Sequence, residues 1–439
     1  DWSKGASRHF LEKEERLLFA KGMALAMLYG DGSLTVSYED IVDNIIKIIP
    51  QLSKERRDVL INQTEEVCTD VRVCSFLRIV EGSRFQFIHK SFMEYLVADQ
   101  IHDDLHSDGR SEILRANLNY EILYFLGAFV LLEGDLVDIL SDNASDDYGE
   151  TYKRNVIGGM LYSGKVIRKI EVGHCTIDRL KFKSLAISES ILRGIKFSEV
   201  VATDIAFESC SLLPCVMDNV QTESVRVRRC SGRLLLQNLD VPLFDVANSP
   251  RLALTAVQCG VSVCKVSGVK QFNLGDYCRM GSLNIDRACL VLMGNRGGDG
   301  DIETAMFDGV RLKSEVGRDG SMYRKIHDVQ FRACKFEGFH YYIDNSKDIQ
   351  MSGCAGLVFL HANKDGGELY TQTLRRDGSK ARRRWAFRFG VLFLDQKLYG
   401  NIDLKVINSL YARLAKRGSQ SEIMRELDEL TVDQEKRGK

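Results

Sequence analysis

His89 and Lys90 stand at the predicted start of a helix and could bind an anion. They belong to the stretch Phe85–Ala98, whose sequence is FQFIHKSFMEYLVA. The first N–H groups of a helix lack backbone partners and lie at the positive end of the helix dipole, so they attract phosphate. From the residues alone, the alternative is that His89 caps the helix while its apolar neighbours pack in the core.

A second candidate site is a basic segment around Asp377-Gly378, a dipeptide that predicts a turn between two strands. Aromatic residues follow the basic ones, and this mixture could bind a nucleic-acid backbone or an acidic protein surface. A solvated edge hairpin, whose charges oppose aggregation, explains the pattern equally well. The candidate ligand-binding residues are Arg375, Arg376, Lys380, Arg382, Arg383, Arg384 and Trp385.

Other patterns suggest little chemistry. His102 and His106 are one helical turn apart, as metal-binding pairs are, but their acidic surroundings favour a solvated helix end, so no metal site is predicted. The stretch Gly159–Val166 approximates the phosphate-binding pattern G-x-x-x-x-G-K-[ST] but lacks its hydroxyl, and we interpret it as a coincidence. The chain has no G-x-S-x-G, H-E-x-x-H or C-x-x-C motif, so we predict no catalytic residue and no enzyme activity for this chain.

The N-terminal part is predicted to be helical, with one hairpin. Short apolar runs at 75–80 and 84–88 flank Glu81-Gly82-Ser83 and predict that hairpin. The helix after it should turn Phe92, Tyr95, Leu96 and Ile101 toward the core. The order of helix, helix, hairpin and helix is typical of a winged-helix domain. Apolar spacing and capping residues predict helices over 11–29, 38–49, 53–68, 89–105, 111–132, 134–141 and 150–162.

From about Ile170 the sequence repeats itself. Between 175 and 225 apolar residues fall at every fifth position, with a second set two residues later. Strand-like blocks recur roughly every ten residues, which leaves about four residues per connection, too few for a crossover helix. The pattern predicts a right-handed parallel β-solenoid similar to pentapeptide-repeat proteins. An irregular leucine-rich repeat is the alternative, although its period of roughly 20–29 residues fits worse.

The twelve cysteines support a buried, reduced interior rather than a disulfide framework. Most of them stand among Val, Ile and Leu at strand positions, where a free thiol behaves as a small hydrophobe in a reducing compartment. Four fit a ladder of inward side chains along a solenoid axis: Cys210, Cys230, Cys334 and Cys354.

Composition indicates a globular chain of several domains. Of its 439 residues 44% are hydrophobic and 28% charged. Lys and Arg total 60 against 61 Asp and Glu, so no overall charge favours nucleic acid or an anionic membrane. The longest apolar stretch, Ile122–Leu132, is too short to span a bilayer, and we predict a cytoplasmic protein with no membrane partner. The start at Asp1, without Met, suggests part of a longer protein.

The stretch Phe85–Ala98 closely resembles the F-x-F-I-H-K-S-F-x-E-Y-L-x-A signature that closes the winged-helix domain of NACHT proteins, a branch of the STAND signalling NTPases. The similarity covers about residues 7–160. In that family the histidine of the motif contacts the β-phosphate of ADP, which implies this role for His89, with Lys90 beside it. The family's P-loop lies upstream of the winged helix. The resemblance therefore implies that ADP or ATP and Mg²⁺ bind to an upstream nucleotide-binding domain.

The expected fold class is α+β, in four parts: a winged-helix domain at 1–107, a helical domain at 108–165, a β-solenoid sensor with inserted hairpins at 166–395, and C-terminal helices at 396–439. The resemblance implies the regulatory portion of a bacterial NLR-like antiviral defence protein. A pathogen-derived protein or nucleic acid would bind the solenoid, and the protein would then homo-oligomerise. The alternatives are a protein-binding scaffold without a nucleotide switch, and a nucleic-acid-binding module acting through 375–384.

Overall fold

The computed structural model divides into two compact units, Asp1–Ile167 and Arg168–Lys439. The first is helical with a small hairpin and the second is a parallel β-solenoid, which confirms the predicted fold class. The structure describes residues 10–30, 34–49, 52, 54–74, 77–80, 84–133, 135–144, 148–275, 277–288, 290–293, 302–314, 326–343, 349–352, 354–362, 367–374, 380–387, 390–394 and 397–399.

Eight helices and two strands make up the described part of the first unit. A short 3₁₀ helix, Glu112–Arg115, precedes α6. The elements are α1 (Lys13–Tyr29), α2 (Tyr38–Ile48), α3 (Lys54–Asn62), α4 (Thr64–Cys74), β1 (Leu77–Val80), β2 (Arg84–Phe87), α5 (Lys90–Asp108), α6 (Tyr120–Leu132), α7 (Asp135–Asp142) and α8 (Glu150–Tyr162).

The hairpin predicted before α5 is confirmed. Strands β1 and β2 pair antiparallel, with Leu77 opposite Phe87. Val36, between α1 and α2, adds a bridge to Phe85 on β2 through two backbone hydrogen bonds of 2.9 and 2.7 Å. The hairpin is therefore fixed to the helices that precede it, and two residues separate the end of β2 from the start of α5.

Two predicted helices are each divided. The helix expected over 53–68 is α3 and α4, separated at Gln63, and it continues to Cys74 because buried Val71 extends the apolar stripe. The helix expected over 111–132 is the 3₁₀ turn and α6. Between them the Asn155 amide donates to the carbonyls of Leu114 at 2.8 Å and Ala116 at 2.7 Å, and these bonds fix the chain in a non-helical path.

A charged pair and a buried apolar face join α1 to its neighbours. Phe19 and Met23 of α1 are buried, as is Ile45 of α2. Glu15 accepts hydrogen bonds from Arg56 of α3 at 2.6 and 2.8 Å. This charged hydrogen bond is the main cause that lowers the pKa of Glu15 below its usual value.

The second unit is built from strands throughout its described part. They are β3 (Ile167–Arg168, which starts at the unit boundary), β4 (Glu171–Gly173), β5 (Thr176–Asp178), β6 (Lys181–Ser188), β7 (Ile191–Ser198), β8 (Val201–Glu208), β9 (Ser211–Asp218), β10 (Gln221–Arg228), β11 (Ser231–Gln237), β12 (Asp240–Ala247), β13 (Ser249–Val257), β14 (Gly260–Ser267), β15 (Val269–Leu274), β16 (Arg279–Asp286), β17 (Leu290–Met293), β18 (Ile302–Asp308), β19 (Arg311–Ser314), β20 (Ile326–Arg332), β21 (Lys335–Ile343), β22 (Ile349–Ser352), β23 (Ala355–Ala362), β24 (Gly367–Leu374), β25 (Lys380–Phe387), β26 (Gly390–Leu394) and β27 (Lys397–Tyr399).

From β6 to β24 successive strands alternate between two sheets, one of 12 and one of 13 strands, and pair in parallel within each sheet; β25, β26 and β27 pair antiparallel. From β6 to β10 the strands pair in a constant register: Val201 lies between Lys181 and Gln221. A coil there takes 20 residues, two strands of the roughly ten-residue block seen in the sequence. No described segment between these strands is helical, which argues against the leucine-rich alternative.

The inward residues form the ladders that the five-residue period predicts. Phe182, Ile187, Leu192 and Phe197 are all buried. Along one ladder Ile187, Phe207 and Val227 stack in successive coils. Because each coil covers the apolar face of the one before it, the core continues from one described coil to the next.

Each corner that the structure describes places a residue in the left-handed backbone region. Glu189, Glu199 and Ser209 have φ of 51°, 53° and 56°. Their N–H groups donate to carbonyls of the next coil, as Glu189 does to Glu208 at 2.9 Å. These bonds compensate for a conformation that non-glycine residues rarely adopt.

The predicted cysteine ladder is present. Every cysteine whose side chain the structure describes is a buried free thiol. Cys210 and Cys230 occupy equivalent corners, and the Cys210 N–H donates to Cys230 Sγ at 3.4 Å. Burial raises the pKa of Cys215 to about 12, so this thiol stays protonated at neutral pH.

Asp319-Gly320 and Asp377-Gly378 each stand between strand-like runs and predict inserted hairpins, and the two outcomes differ. Strands β24 and β25, on either side of Asp377-Gly378, pair antiparallel as expected. The strands on either side of Asp319-Gly320, β19 and β20, belong to different sheets, so they do not form a hairpin with each other. Both dipeptides, and residues 400–439 with most of the predicted C-terminal helices, lie outside the described residues.

Among the described helices, none combines the length and the apolar character needed to cross a lipid bilayer.

Candidate functional site

His89 lies on the surface as the N-cap residue of α5. Its Nδ1 accepts the backbone N–H of Ser91 at 3.3 Å and lies 2.6 Å from Ser91 Oγ. A nitrogen that accepts these bonds carries no proton, so in the neutral ring the proton is on Nε2. Nε2 has no hydrogen-bond partner among the described residues and can donate to a ligand.

The structure shows the helix cap of the simpler interpretation, and anion binding at His89 stays a prediction. His89 caps the helix through one ring nitrogen, as the simpler interpretation predicts. The other nitrogen remains an exposed donor beside the first N–H groups of a 19-residue helix. This combination suits an anionic group such as phosphate.

Lys90 is not an isolated cation. Its Nζ lies 2.9 Å from Oε1 of Glu94, whose side chain is 3% exposed while that of Lys90 is 48% exposed. The hydrogen bond to Glu94 is the main cause that raises the pKa of Lys90. The same carboxylate oxygen accepts the amide N–H of Asn119 at 2.7 Å. Lys90 therefore neutralises a buried carboxylate within its own helix.

Asn119 connects the N-terminal ends of two helices. Its side-chain oxygen caps α6 by accepting the Ile122 N–H at 3.0 Å, while its amide donates to Glu94 on α5. Contacts at the opposite ends join His102 and His106 of α5 to Glu133, which follows α6. With N-terminal ends together and C-terminal ends together, α5 and α6 run parallel.

The surface beside His89 is apolar. Ile88 is 57% exposed, and Phe92 and Tyr95 are each 41% exposed. The prediction that Phe92 and Tyr95 face the core is therefore wrong. Tyr95 lies over α6, with its ring centroid 5.7 Å from that of Phe125, and only part of it is covered.

Most acidic residues of α5 form ion pairs or hydrogen bonds with other residues of the first unit. Lys21 of α1 pairs with Asp99 at 2.7 Å and Asp103 at 2.5 Å. Burial alone would lower the pKa of Lys21, but its hydrogen bonds to Asp103 and Asp99 outweigh that effect and raise it. The helix presents no basic stripe of the kind that enters a DNA groove.

The near match to a phosphate-binding loop is a coincidence, as expected. Gly159 lies inside α8, where an added Cβ would be 2.7 Å from the Leu126 side chain, so this glycine permits close helix packing. Lys165 Nζ donates to the Val130 carbonyl at 2.8 Å. Neither residue belongs to a loop that could surround a phosphate.

The basic candidate residues divide between described and undescribed parts. Lys380, Arg382, Arg383, Arg384 and Trp385 lie on β25, where Arg382 is opposite Gln372 and Arg384 opposite Tyr370. Arg375 and Arg376 lie outside the described residues. The strand places five of the seven candidates in one continuous segment of a hairpin.

Comparison with known proteins gives no match: no family model, curated protein or solved structure is significantly similar to this chain.

Sequence reasoning selected His89 as a candidate but did not select Glu94 or Asn119, whose contacts lie beside it. Glu94 could have been suspected from its position four residues after Lys90, the spacing of a helical ion pair. Asn119 stands directly before an apolar run, where asparagine is a preferred N-cap residue. The neighbouring sequence did not indicate that its side-chain amide would contact α5.

Proposed function

We propose that this chain is the regulatory and sensing portion of a NACHT-type STAND signalling NTPase, of the kind that acts in bacterial antiviral defence. In this proposal the first unit holds the ADP-bound off state through His89. The solenoid binds the trigger, a pathogen-derived protein or nucleic acid. ADP, ATP and Mg²⁺ bind to an upstream nucleotide-binding domain, and exchange of ADP for ATP leads to homo-oligomerisation in the cytoplasm.

The observation that carries the proposal is the free Nε2 donor of His89 at the start of a long helix. The element order around it supports a winged helix, because Val36 forms the bridge to Phe85 that a third strand makes in that domain. Lys90 is committed to Glu94, so we assign the phosphate contact to His89 alone.

The apolar surface beside His89 supports a neighbouring domain. Ile88, Phe92 and Tyr95 would be covered by a nucleotide-binding domain whose ADP reached His89. Such a contact would explain why aromatic residues in the apolar pattern of α5 face outward instead of into the core.

The test uses the complete protein encoded by the native gene. We expect it to purify with bound ADP. His89→Ala removes one donor to a charged phosphate, worth about 1.5–3 kcal/mol, so ADP should dissociate about 10–150-fold more readily. Ser91→Ala keeps the imidazole but removes its hydroxyl partner, and should have a smaller effect in the same direction.

The matched control is His174→Asn, which replaces an exposed histidine of the solenoid at a positive φ of 48° that Asn tolerates. Its ADP content should equal that of the wild type. A complete protein without a nucleotide-binding domain, or equal ADP retention by wild type and His89→Ala, would refute the switch and favour the scaffold.

A second candidate function, nucleic-acid binding, is favoured by the β24–β25 hairpin with its run of basic residues and Trp385. Each phosphate contact adds about 0.9 to the slope of log affinity against log salt concentration for duplex DNA. Arg382→Glu with Arg384→Glu should weaken binding and reduce that slope. Lys183→Glu with Lys265→Glu, an equal charge change on exposed strand positions, is the control. Absence of binding at low salt would exclude this function.

A further inference from the structure

Two histidines and a glutamate converge at the C-terminal ends of α5 and α6. His102 Nε2 lies 3.0 Å from Oε2 of Glu133, and His106 Nε2 lies 2.7 Å from the same oxygen. Their ligand atoms all lie within 4.8 Å of one another. The solvated helix end expected from the sequence suits His106, which is 35% exposed, better than His102, which is 17% exposed.

We propose that His102, His106 and Glu133 form a binding site for a divalent transition metal of the zinc class. The ligands would be the two Nε2 atoms and the Glu133 carboxylate, with a fourth position open to water. This site is independent of the proposed nucleotide switch, since it lies at the opposite end of α5 from His89.

The distances suit a tetrahedral ion. Bonds of about 2.0–2.1 Å to nitrogen and oxygen at tetrahedral angles separate two ligand atoms by about 3.3 Å. The observed separations of 3.0 and 2.7 Å from Glu133 Oε2 approach that value. To reach that value, Glu133 Oε2 would move about 0.3 Å further from His102 Nε2 and about 0.6 Å further from His106 Nε2.

The hydrogen bonding of His102 supports the same assignment. Its Nδ1 is buried without a hydrogen-bond partner in the described structure, and the nearest carboxylate oxygen, Asp103 Oδ1, is 3.5 Å away. A metal on Nε2 leaves the ring proton on Nδ1, and a small shift of Asp103 would let its carboxylate accept that proton, the usual outer-shell arrangement of a metal-bound histidine.

Two features make this position suitable for a cation. The C-terminal ends of α5 and α6 both carry partial negative charge, and parallel packing brings them together here. The His102 ring lies against Phe129, with centroids 4.7 Å apart, which limits its movement. The neighbouring group of Asp99, His102 and Asp103 is a poorer choice, because Lys21 already neutralises both carboxylates.

The test titrates Co²⁺ into the metal-free full chain. The wild type should bind one Co²⁺ with the visible bands of tetrahedral nitrogen and oxygen coordination, and Zn²⁺ should displace it. His106→Gln and Glu133→Gln should each weaken that binding by more than about 100-fold, since even loss of an outer-shell partner costs about 10–100-fold. The control His174→Asn should bind as the wild type does.

Two further measurements keep the test decisive. Metal should raise the melting temperature of the wild type but not of the two variants, whose metal-free circular dichroism shows whether they fold. X-ray absorption of the Zn²⁺-loaded wild type should show imidazole and oxygen ligands. Sulfur ligands alone, no Co²⁺ binding by the wild type, or wild-type affinity in both variants would overturn the proposal.

Discussion

Asn119 both caps α6 and links it to α5, so substitutions at this residue can measure the stability contributed by the cap and by the link separately. It caps α6 through its oxygen and bonds buried Glu94 of α5 through its amide. Asn119→Ser keeps a good capping side chain and removes the amide donor. Asn119→Ala removes both. Comparison of the two variants therefore measures the link between the helices separately from the cap.

The expected magnitudes follow from the groups involved. A hydrogen bond to a charged partner contributes about 1.5–3 kcal/mol, and Glu94 is 3% exposed, so water does not replace the lost donor. Asn119→Ser should therefore lower the free energy of local opening by about that amount. Asn119→Ala should lower it by roughly a further 1 kcal/mol for the cap.

Hydrogen exchange measured by mass spectrometry on the full chain resolves the effect by segment. Amides of α6 should lose about 10–150-fold of their protection in Asn119→Ser, and about fivefold more in Asn119→Ala. Asn62→Ser, at an exposed position on α3, should leave α6 unchanged. Wild-type protection of α6 in Asn119→Ser, or equal losses in both variants, would refute the proposed link to Glu94.

Three more predictions concern pH, backbone and core. The hydrogen bond from Arg56 lowers the pKa of Glu15 from 4.5 in the folded protein. The ionised Glu15 therefore stabilises the folded state above pH 4.5, and this stabilisation is lost as the pH falls through the lower folded pKa. The melting temperatures of Glu15→Gln and the wild type should therefore converge in acid. Gly232→Ala should destabilise the solenoid by about 1–3 kcal/mol, because φ is 99° and its Cβ would meet the Leu212 carbonyl; an unchanged urea midpoint would contradict this. Phe207→Ala should cost about 3–5 kcal/mol in the same assay, since Phe207 is 1% exposed.

The solenoid could be predicted because its determinants are local. Inward residues such as Ile187 and Phe197 repeat at a fixed interval, so a short window of sequence reveals the ladder. The left-handed corners could not be predicted, because Glu189, Ser209 and Arg229 share no residue type. Their conformation comes from hydrogen bonds to the next coil, and those bonds exist only after the coils stack.

The exposed face of α5 shows a different limit. Helical spacing places Phe92 and Tyr95 in line with other apolar residues, and that pattern cannot tell a core from a surface that a partner covers. The burial of Leu96 and Ile101 was predictable from the same spacing. Which side of the stripe is covered depends on where α6 lies, and the helical pattern of α5 carries no information about that.

The same dependence on α6 explains why the histidine pair suggested so little by itself. Glu133 is 27 residues from His106, and it approaches because α5 and α6 run parallel. Parallel neighbours require the connection at 109–119 to return along α5 from Asp108 to Glu94, about 21 Å for 14 residues at 1.5 Å each. Asn119 fixes the end of that return on Glu94, so the contact at the N-terminal ends determines which residue reaches the histidines at the C-terminal ends. Loosening of α6 in Asn119→Ala should therefore also weaken Co²⁺ binding at His102 and His106, although the substitution touches none of the three proposed ligands.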